Sequence, residues 1–65
     1  MFPPTQLEME RRKAGLSQKD LSFKSEVSNA LISLYEHGHY ESLKGTHRKK
    51  ISEALGVEEK IVFPN

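Results

Sequence analysis

The sequence predicts an all-α fold, a compact domain of about four to five short helices. Serine or threonine stands at a helix-start position before most apolar segments, and glycine follows the point where several of them stop. No long stretch alternates apolar and polar residues, as a half-buried strand would. Because the chain has 65 residues, we expect residues 1–65 to form one domain.

Helix 1 has both a start signal and a stop signal. Thr5 and Glu8 have the spacing of a capping box, in which a hydroxyl and a carboxylate each accept from a free backbone N–H. Gly15 suits the left-handed position that ends many helices. These signals predict a helix over about 5–14.

Helix 2 begins at a second capping signal. Ser17 can accept from a backbone N–H of the first turn, and Asp20 is favoured near the positive end of the helix dipole. The apolar pattern is interrupted at Ser25-Glu26. We therefore predict a helix over about 18–24.

Helix 3 is predicted over about 28–37, with Ser28 as its N-cap and Gly38 as its stop. Its inward stripe has helical spacing and consists of Leu31, Ile32 and Tyr35.

Thr46 is the predicted cap of a fourth helix over about 47–55, which Gly56 ends. The tail 57–63 is expected to form one short helical turn whose apolar residues close the core. Self-association through this tail is the alternative.

Helices 2 and 3 together give the helix-turn-helix layout over about 17–37. The residues that carry a family pattern are Gly15-Leu16-Ser17-Gln18-Lys19-Asp20-Leu21-Ser22, Val27-Ser28, Ile32-Ser33-Leu34-Tyr35-Glu36-His37-Gly38 and Arg48-Lys49-Lys50-Ile51-Ser52-Glu53-Ala54-Leu55-Gly56-Val57. In order and spacing these segments closely resemble the phage-repressor-like (cro/cI, XRE-type) helix-turn-helix family. The resemblance implies a lambda-repressor-like domain that binds duplex DNA and regulates transcription, most often as a repressor of phage or mobile-element type.

The resemblance also implies which residues read DNA bases. They are the outward positions of the recognition helix, Asn29, Ala30, Ser33 and Leu34. Their chemistry agrees, since asparagine can pair with two adenine atoms, serine can donate or accept, and alanine or leucine can touch a thymine methyl.

A second set of residues is expected to contact the DNA backbone. It consists of Gln18, Ser28, Lys44, Thr46, Arg48 and Lys49. Basic residues beside a helix N-terminus suit a phosphate, and such contacts position a protein without reading sequence. The alternative for each of these cations is an ordinary solvated helix face. The family pattern further implies a largely buried structural ion pair between Arg11 and Glu36.

The turn between helices 2 and 3 departs from the family pattern. Glu26 occupies the position that the family usually gives to glycine, which costs up to about 1–2 kcal/mol if the backbone there needs a positive φ. Ser25 replaces an expected apolar residue and Ser22 an expected alanine. We expect Phe23 to turn inward and compensate.

Composition limits the other function classes. The chain has no cysteine, so it offers no disulfide or thiolate metal site, and this composition favours a cytoplasmic protein. The formal net charge is only +1, which by itself is weak evidence for a polyanionic partner. Histidine spacing does not favour a metal site, and an enzyme, a cofactor, a small-molecule ligand and a membrane span are not expected. The expected partners are a palindromic operator and a second copy of the chain. The alternative is a protein-interaction module, an antitoxin or an adaptor, whose main partner is a protein.

Overall fold

The computed structural model describes residues 5–41 and 43–64, and this part of the chain is helical without strands. The helices are α1 (Gln6–Lys13), α2 (Gln18–Ser25), α3 (Asn29–Glu36), α4 (Gly45–Leu55) and α5 (Glu59–Val62). The Cα radius of gyration is 10.3 Å. The predicted all-α fold of four to five helices is thus confirmed. None of the described helices is both long and apolar enough to cross a bilayer.

The first three helices begin at the residues that the sequence predicts. The hydroxyl groups of Thr5, Ser17 and Ser28 each accept a hydrogen bond from the backbone N–H three residues later. At α2 the capping box is complete, because the Asp20 carboxylate accepts from the Ser17 N–H at 3.1 Å. These hydrogen bonds from Ser17 lower the pKa of Asp20. At α1 the Glu8 carboxylate pairs with Arg12 at 2.6 Å.

The start of α4 was predicted wrongly. Thr46 does not cap this helix; Lys44 is the N-cap, and the helix already begins at Gly45. Extended backbone at Lys44 (ψ 157°) turns directly into the helix, and the Lys44 carbonyl accepts from the Arg48 N–H at 3.0 Å. Since a lysine side chain has no acceptor, it makes no capping hydrogen bond with the free N–H groups of the first turn.

One core joins all five helices. Its fully buried side chains are Leu7, Leu21, Ile32, Tyr35, Ile51 and Val62. Helix α2 packs against both α3 and α4, and α5 packs against α1 and α4. Phe63, directly after α5, is also buried. The tail therefore contributes to the core, as predicted, although Ile61 remains 43% exposed.

The turn between α2 and α3 is held by the two serines that depart from the family pattern. Ser22 Oγ donates to the Val27 carbonyl at 2.7 Å, and Ser25 Oγ accepts from the Val27 N–H at 3.3 Å. Ser25 is only 3% exposed, and the hydrogen bond with Val27 replaces the water that its buried hydroxyl loses. The expectation that Phe23 turns inward is wrong, since its side chain is 91% exposed. Positions 21 and 25 face the core, and position 23 lies roughly opposite them on the helix.

Glu26 is left-handed in this turn, with φ 62° and ψ 24°, where glycine has no steric penalty. We therefore expect Glu26→Gly to raise the free energy of unfolding by about 1 kcal/mol and the Tm by roughly 4–8 °C. Thermal unfolding followed by circular dichroism measures both. Glu26→Ala is the matched control, because it removes the carboxylate but keeps Cβ, and its Tm should stay near that of the wild type. Equal Tm values for the glycine and alanine variants would contradict the strain.

Candidate nucleic-acid interface

Helix α3 has a buried face and an outward face. Ile32, Tyr35 and Glu36 are buried against the rest of the domain. The residues predicted to read bases lie elsewhere on the helix: Asn29 and Ala30 are exposed, Ser33 is half-buried and Leu34 is 44% exposed. Ala30, Ser33 and Leu34 stand at i, i+3 and i+4 and therefore lie on one stripe of the helix. The core therefore holds α3 in place from one side while these side chains remain accessible from the other.

The N-terminal end of α3 is exposed at Ser28 and Asn29. The Ser28 hydroxyl oxygen accepts from the Leu31 N–H at 3.2 Å. A hydroxyl that accepts still has its own hydrogen to donate. Ser28 can thus cap α3 and donate to a phosphate oxygen in the same conformation.

Three side chains from three helices meet at the C-terminal end of α3. Arg11 Nε pairs with the Glu36 carboxylate, and a second guanidinium nitrogen lies 3.2 Å from Glu36 Oε1. The same arginine donates to the Leu16 carbonyl at 2.8 Å. Gln18 Nε2 donates to Glu36 Oε1 at 2.8 Å. The structure therefore brings Arg11 and Glu36 together and places the first residue of α2 beside the last residue of α3.

This network fixes the side chain of Gln18. One amide N–H is engaged with Glu36. The second N–H and the amide oxygen make no other hydrogen bond within residues 5–41 and 43–64, and the residue is half-buried. Gln18 therefore presents one donor and one acceptor from an orientation set by the buried carboxylate.

Four of the predicted backbone-contacting residues lie at the N-terminal end of α4: Lys44 is its N-cap, Thr46 and Arg48 lie in its first turn, and Lys49 follows in the second. Lys44, Thr46 and Lys49 are exposed. A hydrogen bond of 2.9 Å between Tyr35 Oη and His47 Nδ1 ties the first turn of α4 to α3. Burial raises the pKa of Tyr35, so its hydroxyl remains protonated at neutral pH. The free N–H groups of the α4 N-terminus and these lysines form an electropositive end next to α3.

Arg48 has different surroundings from the other cations of α4. Its guanidinium lies 5.5 Å from the centre of the Phe63 ring and donates to the Phe63 carbonyl at 3.3 Å. Its Nε lies 3.5 Å from the Glu59 carboxylate. These contacts attach α5 and the tail to α4. Nothing in the local sequence around Arg48 indicates them, since both partners lie more than ten residues away.

The sequence interpretation did not assign a DNA contact to His37, which the structure places beside the predicted base-reading residues. His37 is exposed, and its Nδ1 lies 2.7 Å from the Ser33 carbonyl oxygen. It follows Ala30 by seven positions and Ser33 by four, which is the spacing of one helical stripe. That spacing is a signal from which the sequence alone could have identified it. Within the described part of the chain, no three His, Asp or Glu side chains gather into a group that could hold a metal ion.

The comparisons with known proteins agree with this geometry. A family model described as helix-turn-helix matches residues 7–62, from the second residue of α1 to the last residue of α5. No curated protein and no solved structure matches the chain. The family match covers α3, the Arg11–Glu36 pair and the α4 N-terminus. The chain therefore belongs to the phage-repressor-like (cro/cI, XRE-type) helix-turn-helix family of DNA-binding transcription regulators.

Proposed function

We propose that this protein binds a specific duplex DNA sequence through α3 and acts as a repressor of phage or mobile-element type. The observation that carries the proposal is the division of α3 into a buried face and an accessible face of small and polar residues. A major groove about 12 Å wide admits such a helix. Repression follows from occupancy, because a protein bound at an operator excludes polymerase from the same DNA.

The accessible face of α3 supplies the base contacts. The amide N–H of Asn29 donates to adenine N7, its amide oxygen accepts from the adenine N6 amino group, and Ser33 contacts a donor or an acceptor edge. Ala30 and Leu34 lie against thymine methyl groups. These contacts define a short half-site.

Backbone contacts surround this half-site. Gln18 and Ser28 donate to phosphates at the N-terminal ends of α2 and α3, and the N-terminal end of α4 contributes Lys44, Thr46, Arg48 and Lys49. Among them Arg48 reaches DNA only with the part of its guanidinium that Phe63 and Glu59 leave accessible. The low net charge of +1 makes this local clustering important, because affinity depends on where cations lie.

A second copy completes the operator. Two domains related by a twofold axis bind half-sites about 34 Å apart, which gives a palindromic sequence. Ile61, exposed on α5 beside half-buried Val57, is the apolar surface that we assign to this contact. Such a dimer acts in the cytoplasm, where the operator DNA lies.

Selection of bound sequences from a random duplex pool, repeated at two salt concentrations, tests the proposal. We expect a short palindrome that remains enriched at the higher salt, because base contacts add to the salt-dependent phosphate contribution. Circular dichroism confirms that the sample is folded. A folded domain that enriches no sequence contradicts the proposal.

Asn29→Ala and Lys49→Ala form a matched pair of variants, since both residues are exposed and neither side chain makes a hydrogen bond or an ion pair with another described residue. We expect Asn29→Ala to weaken operator binding by about 1–3 kcal/mol and to relax the preference at one base pair. Lys49→Ala should weaken all sequences alike and lower the slope of log affinity against log salt by about one. Binding assays on the operator and on single-base variants of it distinguish these results. An unchanged sequence profile for Asn29→Ala removes this residue from the reading set.

A protein-interaction module is the second candidate, and the exposure of Phe23 favours it. A phenylalanine that is 91% exposed on α2 loses little hydration on folding but gains from burial against a partner. Under this alternative, the selection experiment enriches no DNA sequence and Phe23→Ser abolishes binding of the partner protein. Unchanged operator affinity in Phe23→Ser supports DNA binding through α3.

A further inference from the structure

We propose that His37 is a further DNA-contacting residue, which binds a backbone phosphate only when its imidazole is protonated. The proposal rests on the proposed DNA binding through α3 and adds a residue and a proton dependence to it. His37 continues the stripe that contains Ala30 and Ser33, and its side chain is exposed beyond the last turn of the helix. It therefore shares the face that we assign to DNA.

A hydrogen bond fixes both the orientation and the tautomer of the His37 ring. Nδ1 lies 2.7 Å from the Ser33 carbonyl oxygen. A carbonyl oxygen can only accept, so Nδ1 carries a hydrogen in this bond. The nitrogen left for a ligand is Nε2. In the neutral ring Nε2 is an acceptor, and in the protonated ring it is a cationic donor.

The position of His37 along α3 favours a phosphate over a base. The eight residues of α3 span about 12 Å at 1.5 Å per residue, and His37 follows the last of them. The N-terminal end of a recognition helix contacts base edges, and the major groove is roughly 8.5 Å deep. A side chain at the opposite end therefore lies near the groove wall, where the phosphates are.

Phosphate oxygens only accept hydrogen bonds, so neutral His37 has no favourable contact to offer them through Nε2. Protonation supplies both the hydrogen and the charge. Because the bound state favours the protonated ring, binding takes up a proton and affinity falls as the pH rises. An imidazole changes charge between about pH 5 and 8, so the fall in DNA affinity is expected at pH values where binding can be measured.

Three charged or titratable groups of the elements packed against α3 have other partners. Arg11 of α1 pairs with Glu36, Asp20 of α2 caps its own helix through Ser17, and His47 near the start of α4 binds Tyr35. No carboxylate lies within 4.0 Å of the His37 ring in residues 5–41 and 43–64. A DNA phosphate is therefore the anion that this face would bring to His37.

Fluorescence anisotropy with a labelled operator duplex and a scrambled duplex tests the proposal at about pH 5.5 and about pH 8, with the ionic strength constant. We expect the wild type to bind both duplexes roughly three- to tenfold more tightly at the lower pH. His37→Gln should lose most of this gain. His37→Lys should keep a donor at both values of pH and bind nearly equally well at each.

His39→Gln is the matched control, because His39 is exposed two residues further along but its ring makes no hydrogen bond with another described residue. It should keep the pH dependence of the wild type. A second readout is the salt dependence at the lower pH, where His37→Gln should lower the slope of log affinity against log salt by about one. A merely structural role in ending α3 would leave that slope unchanged, and thermal unfolding at each pH shows that the variants remain folded.

Two negative outcomes have separate meanings. Equal pH dependence in the wild type and in His37→Gln, with both binding the duplex, overturns the role of His37 alone. A folded wild type that binds neither duplex at either pH overturns the proposed DNA binding.

Discussion

Replacement of Arg11 by methionine is expected to lower the free energy of unfolding by about 3–5 kcal/mol. The side chains of Arg11 and Glu36 are 12% and 3% exposed, and two guanidinium nitrogens contact the carboxylate. In Arg11→Met the Glu36 carboxylate would stay buried with Gln18 as its remaining side-chain donor. A neutral amide does not compensate for the lost charge, and the Leu16 carbonyl would also lose its donor.

This loss is large for a domain of 65 residues, whose whole stability is on the order of 3–10 kcal/mol. We therefore expect a substantial unfolded fraction of Arg11→Met at 25 °C. Urea unfolding followed by circular dichroism measures the change in the free energy of unfolding. Spectra recorded without urea at several temperatures define the folded baseline. Operator affinity should fall with the folded fraction, because only the folded domain presents the DNA-contacting residues. The loss of Arg11 also disturbs Glu36, which holds the side chain of Gln18.

Two further variants separate burial from charge. Arg12→Met breaks the ion pair with Glu8, but the arginine side chain is 70% exposed, so we expect a change of at most about 1 kcal/mol. Arg11→Met combined with Glu36→Leu removes both buried charges and should be more stable than Arg11→Met alone. If Arg11→Met were no less stable than Arg12→Met, the buried pair would have no structural role.

Phe63→Ala is expected to cost about 3–5 kcal/mol, because it removes a large buried ring from the edge of the core. Phe63 is 3% exposed and lies edge-on to Tyr40 with ring centres 6.0 Å apart. The Arg48 guanidinium covers the same ring at 5.5 Å. Loss of the ring would free Arg48 and detach the tail from α4, so both the Tm and the urea midpoint should fall.

Ile61→Ala is the matched control, since Ile61 lies two residues away and is 43% exposed. Its Tm at low protein concentration should change little. If Ile61 belongs to the dimer contact, this variant should instead weaken self-association in analytical ultracentrifugation. A larger loss of monomer stability in Ile61→Ala than in Phe63→Ala would contradict the assignment of Phe63 to the core.

The helix starts at Ser17 and Ser28 could be predicted because each cap is a hydrogen bond between residues three apart. Such an interaction depends on local sequence and needs no tertiary structure. The same reasoning gave the wrong start for α4. Thr46 is a residue type that favours the N-cap, but the helix begins at Gly45 after Lys44, without a side-chain capping hydrogen bond. Side-chain type predicts a preference at a helix end, and the backbone selects one of several neighbouring starts.

Glu26 shows how far local reasoning extends. Its place in the family pattern raised the question of a positive φ, and the structure gives 62°. The surroundings of Phe23 could not be predicted in the same way, because the loss of an apolar residue at position 25 is compensated by a serine hydrogen bond to Val27. That bond exists only once the turn is formed.

For the candidate interface, local sequence and family pattern determined the helix order and which residues of α3 face outward. These features follow from periodicity, caps and spacing along the chain. Tertiary structure alone decided that Gln18 is held by Glu36 and that Arg48 covers Phe63. The reason is physical: the two residues of each pair lie 18 and 15 positions apart in sequence, and only folding brings them into contact.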